Sequence, residues 1–188
     1  MTNKTNRTDD NNLMFKQGGY RDLKSYQMST IVYDTTVEFC KLYISKFSRT
    51  NDQMVQAARS RRQNIAEGSR AAGTSKKSEL KLTNVARASL EELLLDYEDF
   101  IRQNGLRAWI KDDFEAKKVR NLCYGDLSYS SYRSYLKDRE QAANMMTCVI
   151  HQTNYLLDQQ LRKLEKELLD QCGFTERLYN KRRDRRGY

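Results

Sequence analysis

The chain has 188 residues, enough for one domain with a continuous hydrophobic core. It contains no proline and only 8 glycines, which argues against a turn-rich β fold and favours long helices. The formal net charge of +9 favours polyanionic partners. The polar N-terminus resembles neither a signal peptide nor an anchor, and no apolar run is long enough to span a membrane, so we expect a cytoplasmic protein with reduced cysteines.

Residues 1–19 are polar and are expected to be disordered, whereas residues 20–172 are expected to form the folded part of the chain. A first helix is predicted from about Leu23 to residues 48–50. Its apolar residues recur at intervals of three and four, as on one face of a helix: Tyr33, Val37, Cys40, Ile44 and Phe47.

A second helix is predicted over about 52–67, with a thin apolar stripe and three arginines crowded into one turn. The stripe consists of Met54, Ala58 and Ile65. The arginines are Arg59, Arg61 and Arg62. We expect Gly68 to end this helix, because glycine tolerates the left-handed backbone that commonly follows a helix.

The next segment, 68–75, has the two spaced glycines of a phosphate-binding loop, Gly68 and Gly73. However, Thr74 occupies the position where that motif requires a lysine, and a helix rather than a β-strand is predicted before it. We therefore interpret the segment as a loop between two helices.

A third helix is predicted between a cap at Thr74 or Ser75 and a stop at Asn104-Gly105. A fourth is predicted over about 140–170, with apolar residues at every third or fourth position throughout.

Four long helices with short first and second loops predict an all-α fold, an antiparallel up-and-down four-helix bundle. Residues 106–139 form an extended connection between the third and fourth helices, in which Asp112 or Asp113 can start a short helix. Residues 173–188 form a basic C-terminal tail.

No catalytic or metal site is recognisable in the sequence. The chain has a single histidine, His151, and lacks the paired Glu-x-x-His motifs of di-iron bundles. No serine or cysteine lies in a strand-to-helix elbow. We therefore predict a non-enzymatic protein without a cofactor or metal.

Charge is segregated along the chain. Residues 53–78 contain six basic residues and one acidic residue, and residues 173–188 contain six and two, whereas residues 79–103 contain three basic and six acidic residues. Basic clusters neutralise phosphates and release counterions, so we predict contacts with RNA or DNA. The predicted contact residues are Arg59, Arg61, Arg62, Arg70, Lys76, Lys77, Lys181, Arg182, Arg183, Arg185 and Arg186.

Two alternatives remain open for these basic residues. They could form an ordinary solvated surface, or they could belong to a protein–protein scaffold that meets an acidic partner or the acidic third helix of a neighbouring subunit.

The connection also contains three tyrosines at intervals of three beside Arg133: Tyr129, Tyr132 and Tyr135. These rings could stack on unpaired bases, or they could pack the connection against the bundle or a neighbouring subunit.

The run QAARSRRQNIAEGSRAAGTSKKSELKLTNVARASLEELLLDYEDF resembles the signature of a bacterial four-helix-bundle family whose founding members are encoded in intervening sequences of 23S rRNA genes. The strongest matches are Asn64-Ile65-Ala66-Glu67-Gly68, Ser75-Lys76-Lys77-x-Glu79 and Ala86-x-x-Ser89-Leu90-x-Glu92-Leu93. The resemblance covers about residues 20–105 and 140–170. HQTNYLLDQQLRKLEKE and GFTERLY resemble the longer, suffix-domain subgroup.

This resemblance implies up-and-down helices, no catalytic site and assembly into a cyclic homo-oligomer, which is a pentamer in known relatives. One relative, the accessory variability protein of diversity-generating retroelements, is a basic pentamer that binds a reverse transcriptase and nucleic acid. A reverse transcriptase is therefore one candidate partner. The connection 106–139 and the C-terminal tail exceed the shorter family pattern.

Overall fold

The computed structural model describes residues 19–125, 128–170 and 174–186, and within these ranges all regular secondary structure is helical. The predicted all-α class is confirmed. The α-helices are α1 (Lys24–Tyr43), α2 (Arg49–Ala71), α3 (Lys76–Gln103), α4 (Phe114–Leu122), α5 (Tyr129–Arg133), α6 (Arg139–Asp170) and α7 (Phe174–Arg186). Short 3-10 helices cover Tyr20–Asp22 and Ser134–Lys137. Residues 1–18, for which disorder is predicted, lie outside the described ranges.

The four long helices surround one hydrophobic core. Helix α2 packs against α1 and α3, and α6 also packs against α1 and α3. The core is built from apolar side chains of all four helices, among them Val32, Phe39, Met54, Ile65, Leu90, Leu93, Met146 and Ile150. None of the described helices is both long enough and apolar enough to cross a bilayer.

The ends of α3 lie where the sequence predicts them. Ser75 caps its first turn, since its hydroxyl accepts a hydrogen bond from the Ser78 amide at 3.1 Å. At the other end, Gly105 adopts φ = 61°, the left-handed conformation that favours glycine.

Gly68 does not end α2, so that prediction is wrong. The helix continues to Ala71, and the loop before α3 is correspondingly short. A Cβ atom on Gly68 would lie 3.3 Å from the Leu82 Cβ and 3.4 Å from the Glu79 carbonyl oxygen. The missing side chain therefore allows α2 and α3 to approach closely, which is a second common use of glycine.

Arg61 lies on the buried side of α2. None of its surface is exposed, and its three guanidinium nitrogens have no hydrogen-bond partner among the described residues. Burial lowers the pKa of Arg61 to about 9, while the charge interaction with Tyr97 acts in the opposite direction. The side chain is still protonated at neutral pH, so the core contains an unpaired positive charge.

An uncompensated buried charge destabilises the folded state. Replacing Arg61 by the unbranched, apolar methionine (Arg61→Met) is expected to raise the free energy of unfolding by about 1–4 kcal/mol at pH 7. Urea denaturation followed by circular dichroism measures this change.

Arg59→Met is the matched control, because Arg59 is exposed on the same helix. It is expected to change stability by no more than about 0.5 kcal/mol. A loss of stability in Arg61→Met would show that the guanidinium has a stabilising partner.

A candidate nucleic-acid interface on α2

Three of the predicted contact residues share the solvent side of α2. Arg59, Arg62 and Arg70 fall on one helical face, which spans roughly 16 Å at 1.5 Å per residue. Arg59 and Arg70 are exposed, and Arg62 is half-buried. We call these three residues the arginine face of α2. Arg61 points to the opposite side and, being fully buried, cannot reach a phosphate in this conformation.

Two tyrosines support the arginine face from α1 and the turn before it. The Arg62 Cζ lies 4.4 Å from the centroid of the Tyr33 ring, and the Arg70 Cζ lies 5.1 Å from that of Tyr20. A guanidinium over an aromatic face is attracted by the ring quadrupole. Arg70 also donates a hydrogen bond to the Tyr20 hydroxyl at 3.4 Å. These contacts orient the side chains without neutralising their charge.

The arginine face has few acidic neighbours, of which Glu67 is exposed on α2 three residues before Arg70. Among the described residues, Arg59, Arg62 and Arg70 form no salt bridge. The carboxyl group that interacts electrostatically with Arg62 is Asp34; burial raises the pKa of Asp34, and Arg62 lowers it. The face therefore presents positive charge to solvent.

The two lysines at the start of α3 have different surroundings. The Lys76 ammonium lies 2.9 Å from a Glu167 oxygen and 3.3 Å from a Glu79 oxygen, and so links α3 to α6. Glu79 is buried, which raises its pKa, and Lys76 opposes this effect. Lys76 therefore forms ion pairs within the protein, whereas Lys77 is exposed to solvent.

The remaining predicted contact residues lie on α7, within the segment interpreted from sequence only as a basic tail. Lys181 is half-buried, and the four arginines that follow are exposed: Arg182, Arg183, Arg185 and Arg186. Arg183 lies 3.8 Å from its neighbour Asp184, an exposed pair that adds little stability. A second basic segment is therefore helical rather than irregular.

The tyrosines of the connection pack inward. Tyr132 and Tyr135 are buried, and Tyr129 is half-buried. The Tyr132 hydroxyl lies 3.3 Å from the Cys123 sulfur. Of the two interpretations left open, packing is the one that fits this burial, because a ring enclosed by protein has no free face for a base.

Sequence reasoning missed the two supporting tyrosines and the burial of Arg61. Tyr20 and Tyr33 meet α2 only through the tertiary fold, so no local spacing identifies them. Arg61, in contrast, follows Ala58 by three residues and precedes Ile65 by four, which is the spacing of the buried stripe.

No group of three or more His, Cys, Asp or Glu residues suitable for a metal ion occurs in the described ranges. The Cys40 thiol is buried beside Met54, and burial raises its pKa to about 12, so it is not a thiolate nucleophile at neutral pH.

Comparison with family models, with curated proteins and with solved structures finds no match to this chain. The resemblance to the bacterial four-helix-bundle family therefore rests on the sequence motifs.

The role of Lys76 can be separated from that of Lys77 by substitution. Lys76→Ala is expected to lower the free energy of unfolding by about 1–3 kcal/mol, because the buried Glu79 carboxylate loses its partner. Thermal unfolding measures this loss. Lys77→Ala, the control next to it, is expected to leave stability unchanged. Equal stability of the two variants would contradict the assigned ion pair.

Proposed function

We propose that this chain is a non-enzymatic protein that binds RNA or DNA through the phosphate backbone. The observation that carries the proposal is the arginine face of α2. Arg59, Arg62 and Arg70 are aligned and free of salt bridges within the described residues, and tyrosine rings support Arg62 and Arg70. Lys77 and the basic residues of α7 extend the positive surface.

The chemistry of this surface suits phosphates better than base edges. Guanidinium groups bind phosphate oxygens through two parallel hydrogen bonds, and such contacts fix position without reading sequence. A rigid helix also presents the three side chains at a fixed spacing, so that little conformational entropy is lost on binding. Binding is therefore expected to be strongly dependent on salt and only weakly dependent on sequence.

We further propose that α1, α2, α3 and α6 form an up-and-down four-helix bundle that assembles into a homo-oligomer. The sequence resemblance supports both the bundle and its assembly, and it suggests a pentamer. Assembly would bring several arginine faces to one nucleic-acid chain, so that weak individual contacts add up through a high effective concentration. An accessory factor for a reverse transcriptase or another nucleoprotein would use such a surface.

A second candidate function is a protein–protein scaffold with an acidic partner. The acidic side of α3 favours it, because Glu92 and Glu98 are exposed and form no salt bridge with any described residue. A basic α2 and an acidic α3 could then meet between neighbouring subunits, without any role for nucleic acid.

Fluorescence anisotropy with generic labelled RNA and DNA tests the nucleic-acid proposal. The triple variant Arg59→Glu, Arg62→Glu, Arg70→Glu is expected to weaken binding at low salt by about tenfold or more. It should also reduce the slope of log K against log salt by roughly two on single strands and roughly three on duplex DNA, because three phosphate contacts are lost.

Arg133→Glu, Arg139→Glu, Arg162→Glu is the matched control. These three arginines are exposed on α5 and α6 and form no salt bridge with a described residue, so the change in net charge is identical. An equal loss of affinity in both triple variants would remove α2 from the proposal. Failure of the unmodified protein to bind any oligonucleotide at low salt would favour the scaffold.

A further inference from the structure

A groove of about 830 Å³ lies between the end of α3, the segment after it, α4 and α6. Its lining combines aromatic rings with basic side chains: Trp109, Tyr124, Tyr155, Arg102, Lys111 and Arg120. Glu98 is the one acidic residue among the described residues that line it. The groove is separate from the arginine face of α2.

Hydrogen bonds hold the wall of this groove in place. The Asn144 carboxamide accepts from the Trp109 amide at 2.7 Å and donates to the Arg107 carbonyl at 2.8 Å. Asp113 accepts from the Ile110 amide at 2.9 Å and from the Arg107 guanidinium at 2.7 Å. Because these hydrogen bonds fix the segment, the groove is preorganised.

Two of the aromatic rings remain largely in solvent. Tyr124 is 81% exposed and Tyr155 is 61% exposed, in contrast to the buried tyrosines of the connection. Both also line a smaller pocket of about 90 Å³ that shares Gln152 with the groove. The groove therefore offers free aromatic surface beside a smaller recess.

Gln152 supplies an unused hydrogen-bond acceptor at this shared wall. Its Nε2 donates to the Arg120 carbonyl at 3.3 Å, which fixes the orientation of the carboxamide. Its Oε1 is buried and has no partner among the described residues. A buried acceptor without a donor costs free energy. Because the oxygen is enclosed, a ligand with an N–H group would relieve that cost only after the Gln152 side chain turns toward the groove.

We propose that this groove binds unpaired nucleotides of a single-stranded nucleic acid. Nucleobases combine flat faces that stack on tyrosine or tryptophan with the N–H groups that Gln152 lacks. The adjoining phosphates match the excess of positive charge supplied by Arg102, Lys111 and Arg120, although Arg102 is also paired with Asp99 and Arg120 with the Lys111 carbonyl.

The proposal rests on the proposed nucleic-acid function and adds strand selection to it. The arginine face of α2 contacts phosphates of either single or double strands. The groove requires bases that are free to leave a stack, so it selects single strands.

Trp109 is the only tryptophan of the chain, so tryptophan emission reports on the groove directly. Titration with oligodeoxythymidylate or oligouridylate at low salt is expected to quench this emission. A duplex of the same length is expected to bind, as measured by anisotropy, without quenching.

Tyr155→Ala and Tyr124→Ala test the stacking contacts. Each is expected to weaken single-strand binding by about 5- to 100-fold and to leave duplex binding unchanged within about twofold. Phe47→Ala removes an exposed aromatic ring outside the groove and serves as the control. The triple α2 variant should weaken both kinds of binding.

The outcomes separate the two proposals. Single-strand binding that persists without quenching and is unaffected by Tyr155→Ala overturns the groove site but leaves the arginine face intact. Absence of binding to every oligonucleotide overturns the proposed function itself. If Tyr155→Ala instead changes the molar mass measured by light scattering while single-strand affinity is unchanged, the groove is an interface between copies of the chain, and the proposal is wrong.

Discussion

The close approach of α2 to α3 determines which side chains of α2 can serve a function. Gly68 permits this approach, and the apolar stripe of Met54, Ala58 and Ile65 fixes the rotation of the helix about its axis. Once that rotation is set, the 3.6-residue period places Arg61 in the core and the arginine face in solvent. A rotation of α2 that exposed Arg61 would also turn the arginine face away from solvent. The exposure of three arginines and the burial of a fourth are consequences of a single packing arrangement.

The polar groups of the interior indicate that apolar packing, rather than ion pairing, keeps α2 in position. At the α3–α6 contact, the buried Glu79 is matched by Lys76, so the charge has a partner. At the α2–α3 contact, Arg61 has no partner among the described residues, and Tyr97 directs its hydroxyl to Thr36 at 3.1 Å. The cost of this unpaired charge must be offset by the surrounding apolar contacts. A helix held in this way presents its outer face as a rigid surface, which suits phosphate binding.

Local patterns predict the parts of this structure that depend on neighbouring residues in the chain. Periodicity and capping place the ends of α3 and α6 within a residue or two, because amphipathic spacing and end residues are local properties. The predicted end of the first helix at residues 48–50 is wrong: α1 stops at Tyr43, and Phe47, expected on its apolar face, is exposed. The role of Gly68 depends on the proximity of α3, which its own segment does not encode. Arg61 has the spacing of a buried residue, but its charge favours the opposite interpretation. The groove combines Trp109, Tyr124 and Tyr155 from three separate parts of the chain, so only the tertiary fold brings them together.

Arginine-specific chemical modification, mapped by mass spectrometry with and without a bound oligonucleotide, tests the central claim most directly. One experiment then reports both which arginines of α2 face solvent and which of them contact the oligonucleotide. The account predicts that Arg59 and Arg70 react readily in the free protein and are protected by the oligonucleotide, whereas Arg61 is unreactive in both states. Reaction of Arg61 as fast as Arg59, or an α2 that the bound oligonucleotide leaves unprotected, would contradict it.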